Sequence, residues 1–315
     1  MNKNTSSKNK YLKYILKYRY RSLYKKIFRK KVNIKTYAGR PVLDVKTANL
    51  ELKKAIESSL PYMAARYGAN EINLMVDALV HKKISDGHME NMCVNAGFFP
   101  RGDEYAFRFG GLMKESSMLM DMEAIFQSKD EEFVTAKYAK NAVLVNNRGI
   151  EPWYTPDDPW SASLKGKRVV IIHPFAETIA SQYKKREVLF PGTDILPEFN
   201  IRILKAVQTI AVQKDDRFHD WFEALEYMFQ EAMAEDFDVA LIGCGAYGFP
   251  LAAKIKAAGK QAVHMGGALQ ILFGIKGNRW DTHPIISTFY NNEWVRPSDK
   301  DKPQNASKVE GACYW

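Results

Sequence analysis

Cysteine is scarce in this chain. Its 315 residues include three, Cys93, Cys244 and Cys313. They are far apart and odd in number, which excludes a disulfide scaffold and a CxxC zinc module and fits a reducing compartment. Long apolar runs are missing as well. No window approaches the ~18 uncharged apolar residues of a spanning helix. The basic start is broken by Lys13, Lys17, Arg19 and Arg21, so it reads as neither a signal peptide nor a membrane span. The third absence is acidic charge in residues 1–40, which hold fourteen Lys and Arg and no Asp or Glu. The net charge of +10 therefore resides in this arm. The other 275 residues carry 32 basic and 36 acidic side chains, a slightly acidic body that is not expected to bind nucleic acid, because phosphate affinity needs clustered Lys and Arg. A chain of this length suggests about two domains of roughly 150 residues and buries enough surface to fold without metal or disulfide.

The arm has a pattern. Leu12, Leu16, Tyr20, Leu23 and Ile27 recur at helical spacing, with basic residues filling much of the remainder. A basic amphipathic helix over residues 10–31 can lie on an anionic membrane surface. The alternatives are a solvated basic tail and a helix docked on its own body. With this arm, the expected location is cytoplasmic or peripheral on the inner membrane face.

Beyond the arm, periodicity predicts a helix over 47–60, capped by Thr47 and ended by Pro61, a strand over 62–67 and a helix opening at Ala69 or Asn70. Residues 91–110 read as a structured loop, 113–126 as a helix and 142–146 as a strand. A stretch rich in Pro, Trp and Asp (148–167) marks a domain boundary or a long connection. The second half alternates clearly. Strands are predicted at 168–173, 201–205, 238–243 and 261–265, with helices at 177–185, 221–235, 249–258 and 268–273. That alternation means a parallel sheet with helices on both faces. The expected division is a basic extension (1–40), an N-terminal α/β half (41–160), a Rossmann-like half (161–296) and a tail (297–315). Residues 297–308 are expected to be mobile, with the apolar end VEGACYW returning to the body.

The sharpest local signal is GxGxxG, Gly243-Cys244-Gly245-Ala246-Tyr247-Gly248, between a predicted strand and a predicted helix. Such glycines allow a tight turn and bring backbone N–H groups to a diphosphate at the helix N-terminus. The alternative is a tight turn with no ligand. A dinucleotide site also asks for an acid about 20 residues on, and the next strand ends in Val263, His264 and Met265 instead. This weakens the reading of an NAD(P)-dependent oxidoreductase. Gly266, Gly267 and Gln270 follow at once, at a strand end where open α/β sheets place their ligands, and His264 there is a candidate acid or base. Lys276 and Arg279 could neutralise a diphosphate, and Trp280 could stack on a base or sugar. His173 ends the first strand of the second half. In the first half, Arg66, Gly68 and Glu71 sit at a strand-to-helix turn, where a carboxylate in the first helical turn suits a general base, a metal ligand or simply the helix dipole.

At these residues the chain resembles a known group. Arg66–Glu71 is similar to the RFGDGE segment of GT-D-type glycosyltransferases, and the second half, from HPFAETIASQY to VEGACYW, resembles proteins associated with bacterial surface-polysaccharide synthesis. The resemblance covers roughly residues 45–315. It implies a Rossmann-like fold, a nucleotide-sugar donor and a DxE motif near it. Here that motif reads Ala69-Asn70-Glu71, so only the glutamate remains, and a Mn or Mg ion bridging two carboxylates is in doubt. The expectation is a glycosyltransferase moving a sugar to a glycan or lipid-linked acceptor. Glu71 and His264 would be catalytic. Arg66, Gly68, His173, Gly243, Gly245, Tyr247, Gly248, Gly266, Gly267, Gln270, Lys276, Arg279 and Trp280 would bind the donor. Its rivals are the oxidoreductase and a non-catalytic nucleotide-sugar-binding member of an assembly complex.

Overall fold

A computed structural model describes residues 3–28, 34–213, 215–303 and 312–315. Nine strands are present among them: β1 (Thr36–Tyr37), β2 (Arg40–Leu43), β3 (Tyr62–Ala65), β4 (Met122–Ile125), β5 (Val143–Asn146), β6 (Arg168–His173), β7 (Asn200–Lys205), β8 (Val239–Ile242) and β9 (Gln261–His264). They form one sheet in the order β1-β2-β5-β4-β3-β9-β8-β6-β7. Only the β1–β2 hairpin is antiparallel. β3 pairs with both β4 and β9, so a single sheet crosses both halves of the chain. The segment 148–167 is the long connection from β5 to β6 and is built of short 3₁₀ turns.

The helices are α1 (Lys3–Phe28), α2 (Val45–Ser58), α3 (Ala69–Val76), α4 (Asp86–Ala96), α5 (Asp103–Leu119), α6 (Glu131–Lys137), α7 (Ala176–Tyr183), α8 (Arg186–Leu189), α9 (Trp221–Met233), α10 (Gly248–Ala257) and α11 (Leu269–Leu272). Strand side chains alternate between two cores, as the pleat requires. Val170, Ile172, Ala240 and Ile242 pack with α3, α4, α5, α9 and α10 on one face. Val169, Ile171, Val239 and Leu241 pack with α2, α7 and α11 on the other. Both faces are covered, so the strands read as continuous apolar runs. The fold is α/β, a mostly parallel sheet flanked by helices.

Several expectations are corrected. The cap of α2 is Asp44, whose carboxylate accepts the Thr47 N–H at 2.8 Å. Of residues 91–110 only 97–102 are loop; the rest are the end of α4 and the first half of α5. The helix expected over 113–126 is the end of α5 followed by β4, a four-residue strand too short to show periodicity. Residues 297–303 are held in place: buried Asp301 accepts from the Thr178 N–H at 3.0 Å and from its hydroxyl at 2.5 Å. Positions 304–308 of that stretch, 309–311 of the terminal motif and 29–31 of the arm lie outside the described residues.

Candidate ligand-binding cleft

β6 and β8 are neighbours in the sheet, yet the chain leaves them in opposite directions. From β6 it runs outward to β7, and from β8 it runs inward to β9. This is the topological switch point where an open parallel sheet leaves a crevice beyond its carboxyl ends. A cleft open to solvent lies there, with a cavity volume of about 100 Å³. Its floor is His173-Pro174-Phe175 after β6 and Gly243, Cys244, Gly245 and Tyr247 after β8. One wall is the end of α4 (Asn95, Ala96) and residues 207–210 after β7. The opposite wall is Gly267, Gln270 and the terminal Tyr314 and Trp315.

The three glycines of the turn do different things. An added Cβ on Gly243 would lie 2.7 Å from the Gly266 carbonyl oxygen and 2.8 Å from His173 Cδ2, so the first glycine lets two strand ends pack. Gly248 opens α10, and a Cβ there would lie 2.4 Å from His264 Nε2, so the third lets the helix press on β9. Gly245 alone is open. It has φ +60°, a left-handed conformation that favours glycine, and a Cβ there would meet nothing nearer than 4.0 Å. The middle glycine is thus the one whose backbone a ligand can approach.

No charged side chain lines the cleft among the described residues. His173 is buried, and burial pushes its pKa down to about 3. Its Nδ1 accepts the Phe175 N–H at 3.0 Å, so the neutral ring carries its proton on Nε2 as a donor. Burial likewise raises the Cys244 thiol, leaving it protonated rather than nucleophilic. The Tyr247 ring stacks on Trp221 (centroids 4.7 Å apart, 8° between planes). The Tyr247 hydroxyl lies 3.0 Å from Thr209 Oγ1, which donates to the Gly97 carbonyl at 2.6 Å. With its proton spent on Gly97, Thr209 accepts from Tyr247, and the tyrosine is fixed in ring and hydroxyl. Gln270 is fully buried. Its Nε2 donates to the carbonyls of Lys276 and Tyr314, both at 3.1 Å, while its Oε1 has no protein partner.

The cleft therefore gathers His173, Gly243, Gly245, Tyr247, Gly267 and Gln270 from the expected site, and the others lie elsewhere. Glu71 folds its carboxylate back over its own helix start, where a Cβ on Gly68 would sit 1.9 Å from Glu71 Oε2. This is the position of a capping-box glutamate three residues into a helix. Arg66 donates to Glu151 at 2.8 Å and also to the Met265 carbonyl, clamping the end of β3 to the end of β9. A Cβ on Gly266 would meet that guanidinium at 3.4 Å. His264 is buried beneath Gly248 with neither ring nitrogen partnered, and its pKa falls to about 3, first through burial and then through Arg66.

The second glycine pair is covered by the chain itself. A Cβ on Gly267 would lie 2.2 Å from the Tyr314 ring. Arg279 sits over the same ring and donates to the Tyr314 hydroxyl at 3.1 Å. Lys276 lies over Tyr290, and Trp280 is buried in the core. Arg279 and Trp280 thus hold Tyr314 in the wall. Sequence reasoning missed Asn95, Gln208, Thr209, Tyr314 and Trp315 as cleft residues. The aromatic end of the chain is the one signal the sequence offers for them, and it reads equally as packing.

The donor set does not fit a divalent ion. Ala69 supplies no ligand, Glu71 is turned onto Gly68, and no group of three His, Cys, Asp or Glu placed to hold a metal occurs among the described residues.

Two solved structures are similar to the chain. One is described as "The highly conserved domain of unknown function 1792 has a distinct glycosyltransferase fold". It is 16% identical, with a TM-score of 0.39, over 71% of this chain and 77% of its own. The other is a selenomethionine-substituted structure of domain of unknown function 1792, 17% identical, with a TM-score of 0.38, over 72% and 78%. No family model matches the chain, and no curated protein matches it.

Proposed function

We propose that the chain is a glycosyltransferase whose cleft binds a nucleoside-diphosphate sugar, with the diphosphate against the Gly243–Gly248 turn. The observation that carries this reading is the position of Gly245. It is an open, left-handed glycine on the floor of a switch-point cleft, one turn before the N-terminus of α10, where backbone N–H groups and the helix dipole favour an anion. Without Lys or Arg in the wall, the leaving diphosphate would rely on the helix terminus and neutral donors such as His173 Nε2–H. In this reading Gln270, Tyr247 and Thr209, which line the cleft, would contact hydroxyls or base edges. The acceptor would be a glycan or lipid-linked sugar of a surface polysaccharide.

One observation favours a second reading, a nucleotide-sugar-binding protein without turnover: no Asp or Glu side chain lines the cleft among the described residues to serve as general base. The test is a thermal-shift screen of UDP- and GDP-sugars, with and without manganese, followed by assay of nucleoside-diphosphate release. At a hundredfold excess over Kd a ligand stabilises by about 2.7 kcal/mol. Gln208→Trp, which fills the cleft from a half-buried wall position, should abolish the shift while leaving the unliganded protein folded. Binding with release supports the transferase, and binding without release across a broad acceptor panel supports the second reading. No shift with any nucleotide sugar refutes both.

A further inference from the structure

Helix α1 divides its side chains between two opposite faces. The inner face docks on the body. Tyr11 is buried, donates its hydroxyl to Asp130 at 2.9 Å, and sets its ring edge-on to His81 and Phe133. Tyr14 also packs on Phe133. Lys17 and Arg21 both pair with Glu132, and Arg21 lies over the Tyr37 ring. The repeat seen in the sequence is therefore not what holds the helix down. Leu12, Leu16, Tyr20, Leu23 and Ile27 all point to solvent, with Leu16 65%, Tyr20 69% and Ile27 61% exposed.

At roughly 100° per residue those five side chains fall within an arc of about 80°, opposite the docked tyrosines. Exposed Arg19 and Lys26 border the stripe on one side and Lys13 on the other. Residues 1–40 contain no acid to neutralise them. A contiguous exposed apolar strip with a polar rim marks an interaction surface.

We infer that this outward face of α1 seats on an anionic phospholipid surface, with Leu12, Leu16, Tyr20, Leu23 and Ile27 entering the headgroup–acyl boundary and Lys13, Arg19 and Lys26 lying against lipid phosphates. Apolar insertion flanked by cations is what such a surface accommodates. A second copy of the chain fits less well. Stripe-to-stripe pairing would bring two basic rims together, and one stripe falls short of the roughly 20–30 residues a side of a stable interface. Because the inner face is tied to α6 and β1, the helix is held against the body, so the contact fixes which side of the protein meets the membrane. The inference is independent of what the cleft binds.

The test uses the full chain in co-sedimentation with phosphatidylcholine vesicles, and with 3:1 phosphatidylcholine:phosphatidylglycerol vesicles at 0.1 M salt. Binding is expected to the anionic vesicles only and to weaken at 0.5 M salt. Leu16→Ser with Leu23→Ser keeps the charge constant and should reduce binding at least tenfold. Arg19→Ser with Lys26→Ser should reduce it about 25-fold. All four positions are exposed, so melting temperatures should stay at the parent value. The inference is overturned by no binding to anionic vesicles, by equal binding to both vesicle types, or by the leucine variant binding as the parent does. It is also overturned by a dimer in sedimentation that the leucine variant dissociates, or by a short single-stranded RNA that binds more tightly than the vesicles.

Discussion

Gly248 gives the most direct test of how the turn is built. A third glycine in such a turn serves either helix–strand packing or approach of a ligand, and the structure assigns it to packing. In Gly248→Ala the new Cβ would stand 2.4 Å from both Nε2 and Cδ2 of His264. Ordinary contact begins near 3.4 Å, so the buried ring must retreat by about 1 Å. Overpacking of this kind costs about 1–3 kcal/mol. The gain in helix propensity on replacing glycine offsets at most about 1 kcal/mol of it. A net loss of about 1–2 kcal/mol is expected, read as a shift in the urea midpoint at unchanged slope. His264→Ala leaves a cavity and is destabilising alone, but it removes the obstacle. The double variant should therefore be more stable than the sum of the single effects by about 1–2 kcal/mol. Strict additivity would refute the packing account, and so would a Gly248→Ala protein as stable as the parent. If the double variant refolds fully but no longer binds any ligand of the parent, the glycine serves the ligand instead.

Arg66→Ala should cost about 3–5 kcal/mol by urea denaturation, because it leaves the buried Glu151 carboxylate unpaired and frees the Met265 carbonyl. Arg66→Ala with Glu151→Gln should recover a large part of that loss, and no recovery would contradict the clamp. His173 supplies a pH dependence. Its folded pKa of about 3 lies below the ordinary 6.5, so the unfolded chain takes up the proton first. Its stability contribution is complete above pH 6.5 and is lost as pH falls from there toward 3, at about 1.4 kcal/mol per unit. Glu131, raised by burial to about 7 from 4.5, acts the other way, losing stability as pH rises from 4.5 to 7. The informative quantity is thus the difference between parent and His173→Gln, about 2 kcal/mol at pH 5 relative to pH 7, and parallel stability curves would refute it. Glu71→Gln should leave ligand binding in the cleft unchanged and lower the melting temperature slightly through the start of α3. A loss of binding with unchanged stability would place Glu71 at the site after all.

The second half of the fold was legible because burial on both faces writes a strand as an unbroken apolar run. RVVIIH and VALI are β6 and β8 almost to the residue, and α9 shows its buried face every third or fourth position. The first half hid its elements. β4 has four residues and follows α5 after a gap of two, so MEAI merges with the helical pattern before it. At the cleft, spacing identified the Gly243–Gly248 turn and the strand ends bearing His173 and Gln270. It could not rank the glycines, since which of them faces open space depends on what lies opposite: His173, His264, or nothing.

The sequence by itself determined the parallel α/β sheet, the glycine turn between β8 and α10, and the confinement of positive charge to the first forty residues. These follow from local periodicity and composition, which need no knowledge of distant neighbours. Tertiary structure alone decided the rest. It set Tyr314 over Gly267 so that Arg279 serves the chain's own tail, and docked α1 through its tyrosines so that its leucines face outward. Each of those outcomes depends on which groups, tens or hundreds of residues apart, the sheet order brings within contact distance, and that order is a property of the whole chain.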